Sequence, residues 1–559
     1  MMTTTATSTP TAIDPITLEV IRHQLVAIPN QIEKNIERTA FSPLIYEYKD
    51  YSVGFVDPQG RLVAQSSGSL PIFVANALGT GVREGLATLG TDGIHDGDVI
   101  ITNSAAWLGQ HLNNVVAYTP IRQGGELLGF FAVLVHWVDV GGAVPGSCLS
   151  SWTRDVWQEG IQYPTVKLIE RGVRRDDVFR LIAVNSRFPK LLLGDIEAQL
   201  GGCLVGHQMV LEVFSRYGID AVRQAIRSAW EDADRNMANA LASARPGRYE
   251  AESFLDDDGV REGQPVPVKV AVEVIDGRLE VDFSGLALQV EGPFNAGRNG
   301  GAIAAARIAC KYLFAPTTPV NEGDFARLDV KVPDGTFMSA RHDAPIGQSG
   351  STVPTIVDTV IRALSQAFPD KAVAAHHGIY GIHSFYGRLP DSGEIFQHLD
   401  TITGGWGAAA HRDGHGPFRS NGHGDVPDVP VELQEALYPY RIESRRLIPD
   451  SGGAGQYRGG LATEKTYRML ADCNLVVAFD RTLCPPWGLA GGRDGSVSGI
   501  EIRYADGRRE TLTKGERRLV PGDRVTVRSG GGGGYGDPAE RDPAAIALDL
   551  ERGYVTETR

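Results

Sequence analysis

Residues 266–275 read VPVKVAVEVI, with valine at every second position: Val266, Val268, Val270, Val272 and Val274. Asp276-Gly277 then turns the chain into Leu279, Val281 and Phe283. An apolar period of two is satisfied only by a strand that lays one face on a core. Asp-Gly supplies the positive φ angles of a tight hairpin. This stretch therefore predicts an antiparallel hairpin covered on one side, and no all-helical fold accommodates it.

Helical signals surround it. Asp14-Pro15 is an N-cap followed by proline at the first helical position, and Ile16, Val20 and Leu25 fall on one face of a helix running to about Thr39, with Pro29 as a kink point. Further helices are predicted near 74–87, 175–183, 191–229, 230–244, 301–313 and 352–367, and a last one from Pro543. Strands are predicted over 98–103, 115–120 and 127–135, with hairpins at Asp57–Gly60 and Asp506-Gly507. A chain of 559 residues exceeds what one core holds, about 250–300 residues. The expectation is an α+β, multi-domain fold with mixed sheets, inserted helices and a Gly-rich, strand-rich C-terminal region. The divisions are a disordered tail over 1–13, a metal-site domain over 14–246, a central α+β domain over 247–430 and a strand-rich region over 431–559. Pro246-Gly247 marks the first inner boundary.

A net charge of −14 and the absence of any basic run exclude a broad nucleic-acid face. The Thr-rich N-terminus has no apolar core of a secretory signal, and the longest apolar stretch, Leu127–Val135, is far below the roughly 20 residues of a spanning helix. Five scattered cysteines without a C-x-x-C pair read as reduced thiols, so a cytoplasmic location and no membrane are expected.

Two histidines stand where strands end. His111 follows the Gly109 turn and precedes a strand; His136 closes the apolar run Leu127–Val135, with Asp139 three residues on and Gly141-Gly142 behind it. Imidazoles from neighbouring strand ends, joined by a carboxylate, suit a divalent metal, zinc before manganese or iron(II). Asp50 is a further carboxylate. Trp107 and Trp137 lie close in sequence and can wall a pocket or fill core. The His376-His377 pair reads as a core or strand-end pair before a pocket one. The stretch from His411 to Asp425 reads as a lid or interface loop before a metal loop. Gly530–Gly534 lacks the Lys-Ser/Thr and helix of a P-loop and is expected to form a turn or a subunit contact.

The segments DPITLEVIRHQL, ERTAFSP, KDYSVGFVDPQGRLVAQ, DVGGAVPGS, LGDIEAQLGG, YPYRIESRRLIPDSGGAGQYRGG, CPPWGLAGG and GGGGYGDPAERDP, in this order from about Asp14 to the C-terminus, resemble the hydantoinase B family. That family includes β subunits of ATP-dependent hydantoinases and lactamases, the matching half of 5-oxoprolinases and α subunits of acetone carboxylases. The resemblance implies an ATP-binding, hydantoinase A-like partner in a hetero-oligomer, a small-molecule substrate, and a divalent metal at Asp50, His111, position 114 and His136. ATP would be used on the partner. Position 114 is Asn where the family has Asp, and Asn103-Ser104-Ala105 replaces the usual N-D-P. Catalytic roles fall to His136, Asp50 and Asp139, the two aspartates orienting water or taking its proton. The implied reaction is ATP-coupled opening of a cyclic amide such as a hydantoin, lactam or 5-oxoproline. The alternatives are ketone carboxylation and a degenerate, non-catalytic role, the latter motivated by Ser104 and Asn114.

Overall fold

The computed structural model describes residues 13–73, 77–424 and 426–557. The expected tail, apart from Ile13, the first residues of the helix expected from Val74, and Asp425 lie outside the described residues. Helix α1 (Pro15–Thr39) starts as its capping residues require: the Asp14 carboxylate accepts from the Thr17 N–H at 3.1 Å, and the helix runs on through Pro29. Its stripe Ile21, Leu25, Ile28, Ile32 and Ile36 is buried.

Seven strands form the N-terminal sheet: β1 (Tyr51–Val56), β2 (Leu62–Gln65), β3 (Val99–Thr102), β4 (Asn114–Gln123), β5 (Glu126–His136), β6 (Val166–Glu170) and β7 (Val173–Arg174). Their spatial order is β2-β1-β5-β4-β3-β6-β7, and every neighbouring pair is antiparallel. Both faces are buried, so β5 is a continuous apolar run rather than an alternating one. Val53, Phe55, Val115, Ala117, Phe131, Val133 and Val135 share a core with α1. Val56, Val116, Tyr118, Phe130, Ala132 and Leu134 face the opposite core, which holds Leu78 and Val82 of α2 (Ala77–Leu89). The long helix expected over 191–229 is two helices, α3 (Pro189–Tyr217) and α4 (Ile219–Leu241), because Gly218 takes φ 83° and breaks the backbone run.

The valine hairpin forms as its period demands. In the sheet of β8 (Gly247–Leu255), β9 (Val266–Ile275), β10 (Arg278–Asp282) and β11 (Leu328–Lys331), order β11-β10-β9-β8, only β10–β11 is parallel. Asp276 and Gly277 both have positive φ, 50° and 71°, as a primed hairpin turn needs. The valine face packs into one core with α5 (Ala304–Phe314) and α6 (Ser349–Ala367), continuous with one face of the N-terminal sheet.

The remaining strands are β12 (Ile382–Arg388), β13 (Ile395–Asp400), β14 (Tyr440–Leu447), β15 (Thr463–Met469), β16 (Cys473–Ala478), β17 (Gly499–Arg503), β18 (Arg509–Leu512), β19 (Lys514–Leu519) and β20 (Arg524–Arg528). They build two antiparallel sheets, β13-β12-β16-β19 and β14-β15-β20-β17-β18, around a shared core of Phe385, Tyr440, Tyr467, Leu475, Ile500 and Val525. Strands on both sides of residue 430 therefore pair within one sheet. The overall class is α+β with several packed sheets.

The Gly530–Gly534 run is neither a phosphate cradle nor a simple turn. Gly531, Gly532, Gly533 and Gly534 donate their N–H groups to three different segments, through the carbonyls of Gly460, of Ala375, and of Arg493 and Ser496. A side chain at Gly532 would strike the Trp406 carbonyl. Backbones pack directly on backbones here, which only glycine permits. Replacing Gly532 with alanine is expected to destabilise the protein by about 2 kcal/mol or more, the upper range of core overpacking, and to lower the thermal midpoint. An unchanged midpoint would refute this account of the run.

Candidate metal centre

Register brings the candidate ligands together. Tyr51 stands opposite Val135, and His136 stands directly opposite Asn114. The ladder continues one step past both strand ends: the His136 N–H donates to the Asp50 carbonyl at 3.0 Å and the Trp137 N–H to the Asn113 carbonyl at 2.8 Å. Residues directly opposite in an antiparallel pair share a face, and neighbouring strands lie roughly 4.8 Å apart. Asp50, His136 and Asn114 thus form a row on one face at one end of the sheet. His111 joins it from the turn before β4, where its carbonyl accepts from the Asn114 N–H at 3.1 Å. Gly109, at φ 66°, makes that turn tight against Gly297. The same parity sends Trp137 the other way, into the helix-covered core, where its indole donates to Gln199 Oε1 at 3.1 Å.

The rings of His111 and His136 lie 5.1 Å apart, centroid to centroid. A third donor comes from a loop that sequence spacing did not single out. Among the described residues, His111, His136 and Cys148 place one donor atom each within 4.8 Å of one another. Cys148 Sγ is 3.9 Å from His136 Nε2. Asp139 holds this loop in shape. Its carboxylate accepts from Ser147 Oγ at 2.7 Å, from the Arg187 N–H at 2.7 Å and from Arg187 Nη1 at 3.1 Å. Ser147 Oγ in turn accepts from the N–H groups of Val140 and Gly142. The structure thus places Asp139 under the loop that carries Cys148, with both oxygens engaged there.

Burial sets the electrostatics. Desolvation lowers the His111 imidazole to about 4, opposed by the Asn114 side chain. Burial, then the neighbouring His111, holds His136 well below the ordinary histidine range. Both rings are neutral at pH 7, the form that binds metals. Desolvation pushes the Asp50 carboxyl up to about 7. His111 Nε2, His136 Nδ1 and Asn114 Oδ1 are buried without a protein partner, while Asn114 Nδ2 donates to Gln110 Oε1 at 3.0 Å. Two neutral imidazoles, a thiol and an unpaired amide oxygen make a donor set that fits a divalent metal, with the Asp50 carboxyl in the same row but outside the 4.8 Å cluster.

Residues far along the chain complete the wall. Tyr48 Oη lies 3.4 Å from His423 Nε2, and the His423 ring packs against Tyr380. Burial first, then the Arg419 charge and the neighbouring His377 and His111, hold His423 well below the ordinary histidine range. Tyr380 Oη and His423 Nδ1 are also buried without a protein partner. The stretch from His411 is divided: His411 and His415 are exposed, while Arg419 to His423 are buried. His376 stacks on Trp406 and accepts from the Gly407 N–H at 3.1 Å, and His377 is buried beside it. That pair is core. Trp107 is partly exposed, and its carbonyl accepts from Asn299 Nδ2 at 2.7 Å. Asn103 cross-braces the loop, donating to the Leu112 and Ile161 carbonyls and accepting from the Tyr163 N–H.

Comparison with known proteins covers the whole of this architecture. Residues 14–538 match the family described as Hydantoinase B/oxoprolinase. The chain is 30% identical to the β chain of the caprolactamase of Pseudomonas jessenii, over 97% of this chain and 94% of that protein. It is 28% identical to a protein described as one component of a candidate D-/L-hydantoinase in Pseudomonas sp. strain NS671, over 98% of this chain and 94% of that protein. The crystal structure of the ATP-dependent caprolactamase from P. jessenii superposes with a TM-score of 0.90 at 29% identity, covering 98% of this chain and 95% of that one. A nucleotide-free acetone carboxylase shares the fold, with a TM-score of 0.88 at 20% identity over 97% of this chain and 78% of that one.

The raised Asp50 carboxyl makes a test on metal-free protein. Its proton is kept in the folded state up to about pH 7, whereas the unfolded chain loses it near the ordinary value of 3.8. The group's stabilising contribution is full below that value and is lost as pH rises to about 7. Asp50→Asn in chelator-treated protein is therefore expected to raise the thermal midpoint, with a gain that grows between pH 4 and 7 and levels off above. A gain that shrinks over that window would refute the assignment.

Proposed function

The chain belongs to the hydantoinase B/oxoprolinase family, and on that footing we propose that it is the metal-site subunit of an ATP-coupled hydrolase of cyclic amides. The observation that carries this reading is the convergence of His111 and His136 at the end of the β1-β5-β4 ladder, with both rings neutral and facing one point. The near-complete coverage of a protein named as the β chain of a caprolactamase supports the substrate class.

His111 and His136 would hold the ion, with Asp50 as the carboxylate of the row and the Asn114 carbonyl beside them. Such an ion, when bound, lowers the pKa of a coordinated water and polarises a carbonyl. Asp50 accepts the proton as water adds to the amide carbon. The C–N bond then breaks as Asp50 returns that proton to the nitrogen, so that the amine leaves with it. Neutral His423 and the Tyr380 hydroxyl, across from Asp50, orient the amide and exclude bulk water. Asp139 acts through the loop it braces. Two relatives are named as one component of a larger assembly, and we propose an ATP-binding, hydantoinase A-like chain as the partner here. No helix among the described residues is long and apolar enough to cross a membrane, and five free cysteines suit the cytoplasm.

The test is reconstitution with the ATP-binding chain and a panel of hydantoin, caprolactam and 5-oxoproline, scoring ADP and ring-opened product together. The fold shared with acetone carboxylase supplies the second reading. Incorporation of labelled bicarbonate into a ketone, without ring opening, would establish that one. His136→Ala is expected to cut ring opening by roughly 10²–10³-fold or more, the scale of losing a preorganised electrostatic group, while complex formation by size-exclusion chromatography is unchanged. Full activity in that variant would leave a scaffolding role for this chain.

A further inference from the structure

We propose that Cys148 is a thiolate ligand of the metal and replaces the carboxylate that this chain lacks at position 114. The proposal rests on the metal reading above and names a ligand that the resemblance does not imply.

Four observations converge on it. First, Cys148 Sγ, His111 and His136 offer donor atoms mutually within 4.8 Å, and the Sγ–His136 Nε2 separation is 3.9 Å. A tetrahedral ion with bonds of about 2.0 Å to nitrogen and 2.3 Å to sulfur spaces its donors about 3.5 Å apart, so small side-chain rotations close the site. Second, His111 Nε2 is buried without a protein partner, and the His136 nitrogen that faces the sulfur is Nε2, while Nδ1 on the other side of the ring has no protein partner.

Third, the loop is built to deliver this side chain. Ser147 takes φ 59°, a left-handed value rare for a residue with a side chain, and is held there by the Asp139–Ser147 bond. The Cys148 carbonyl accepts from Gln348 Nε2 at 3.2 Å, and a side chain on the preceding residue of that segment, Gly347, would crowd the same carbonyl. The loop is thereby fastened to the start of α6. The other four cysteines are buried elsewhere, in three separate parts of the fold: Cys203 on α3, Cys310 on α5, and Cys473 and Cys484 in the C-terminal third.

Fourth, the charges match. With Asn at 114, the donor row carries one carboxylate, Asp50. A thiolate restores the second negative charge beside a dication. It also changes the chemistry: two imidazoles and a sulfur favour zinc over manganese, whereas an oxygen-rich set favours manganese.

The test uses the full-length protein titrated with Co²⁺ and with Zn²⁺. Wild-type protein is expected to develop an intense near-ultraviolet thiolate-to-cobalt band. That band disappears in Cys148→Ser and in His136→Ala. Zinc affinity falls in Cys148→Ser by roughly 100-fold or more, at or above the upper end of what losing an outer-shell partner costs. Cys148→Asp is expected to lose the band and shift preference from zinc toward manganese. Cobalt binding at His136 without the band, together with unchanged zinc affinity in Cys148→Ser, would overturn the thiolate ligand and leave the cyclic-amide reading intact. Absence of any metal binding in the wild type would overturn both. The wild-type spectrum and its loss in His136→Ala decide the matter even if Cys148→Ser fails to fold.

Discussion

His136 opposite Asn114, one step beyond Val135 opposite Tyr51 and Val115, is the register from which the site follows. A slip of one residue would turn His136 toward α1 and α3 and bring Val135 to the centre. Alternation alone does not prevent that slip, because both faces of the sheet are apolar. Shape does. A side chain at Gly206 on α3 would collide with Phe131, and one at Gly85 on α2 would collide with the Tyr118 hydroxyl. Each glycine receives a ring from one particular face, and a slipped strand would present neither ring. Packing of large groups into glycine notches thus fixes where three polar side chains emerge.

Around that row the protein buries polar groups in two distinct ways. Several structural ones are paired. Asp139 is tied to Ser147 and Arg187, and Glu159 accepts from the N–H groups of Ile346 and Gly347 and from Thr153 Oγ1. Burial lifts the Glu159 carboxyl to about 8, so at neutral pH it is largely protonated, and these bonds oppose that rise without cancelling it. At the centre, by contrast, His111, Asn114, His136, Tyr380 and His423 each keep a buried polar atom without a protein partner. Buried polar atoms without a protein partner also occur elsewhere, at Ser52, Asp195, His377 and Trp487 among others, but here five residues each leave one unpaired, at roughly 1–3 kcal/mol apiece. Stability is given up where ligand bonds are to form.

The readable parts of the chain were those governed by local rules. Asp14-Pro15, the valine alternation and the Asp276-Gly277 turn specify α1 and the β9–β10 hairpin through capping, period and φ, with no help from distant residues. His111 and His136 were legible as strand-end residues because a turn glycine and a long apolar run bracket them. Cys148 was not. No spacing rule links it to His136, and its position depends on a loop folded by Asp139, Ser147 and the start of α6, about 200 residues away. His423 was visible only as one of several histidines in a glycine-rich stretch; nothing local distinguishes it from His415, which is exposed. Gly218 split a helix that the apolar pattern ran together, since periodicity passes through a residue that the backbone does not.

Part of the glycine content is explained by the same long-range geometry. Gly404 exchanges backbone bonds with Phe418, Gly405 donates to Gly530, and Ala374 and Ala408 are cross-tied beside Gly533. Trp406 donates its indole N–H to the Arg419 carbonyl. These segments lead directly into Tyr380 on one side and into Ser420–His423 on the other. Side chains between the layers would hold the segments apart, since a Cβ at Gly405, Gly460 or Gly532 meets a backbone oxygen. The glycine layer therefore does for the C-terminal wall what strand register does for the ligand row: it fixes backbone position so that Tyr380 lies within electrostatic reach of Asp50 and His423 within that of His111. A glycine run that looks like a phosphate loop in isolation is here a support for the segments that carry Tyr380 and His423 beside the candidate metal centre.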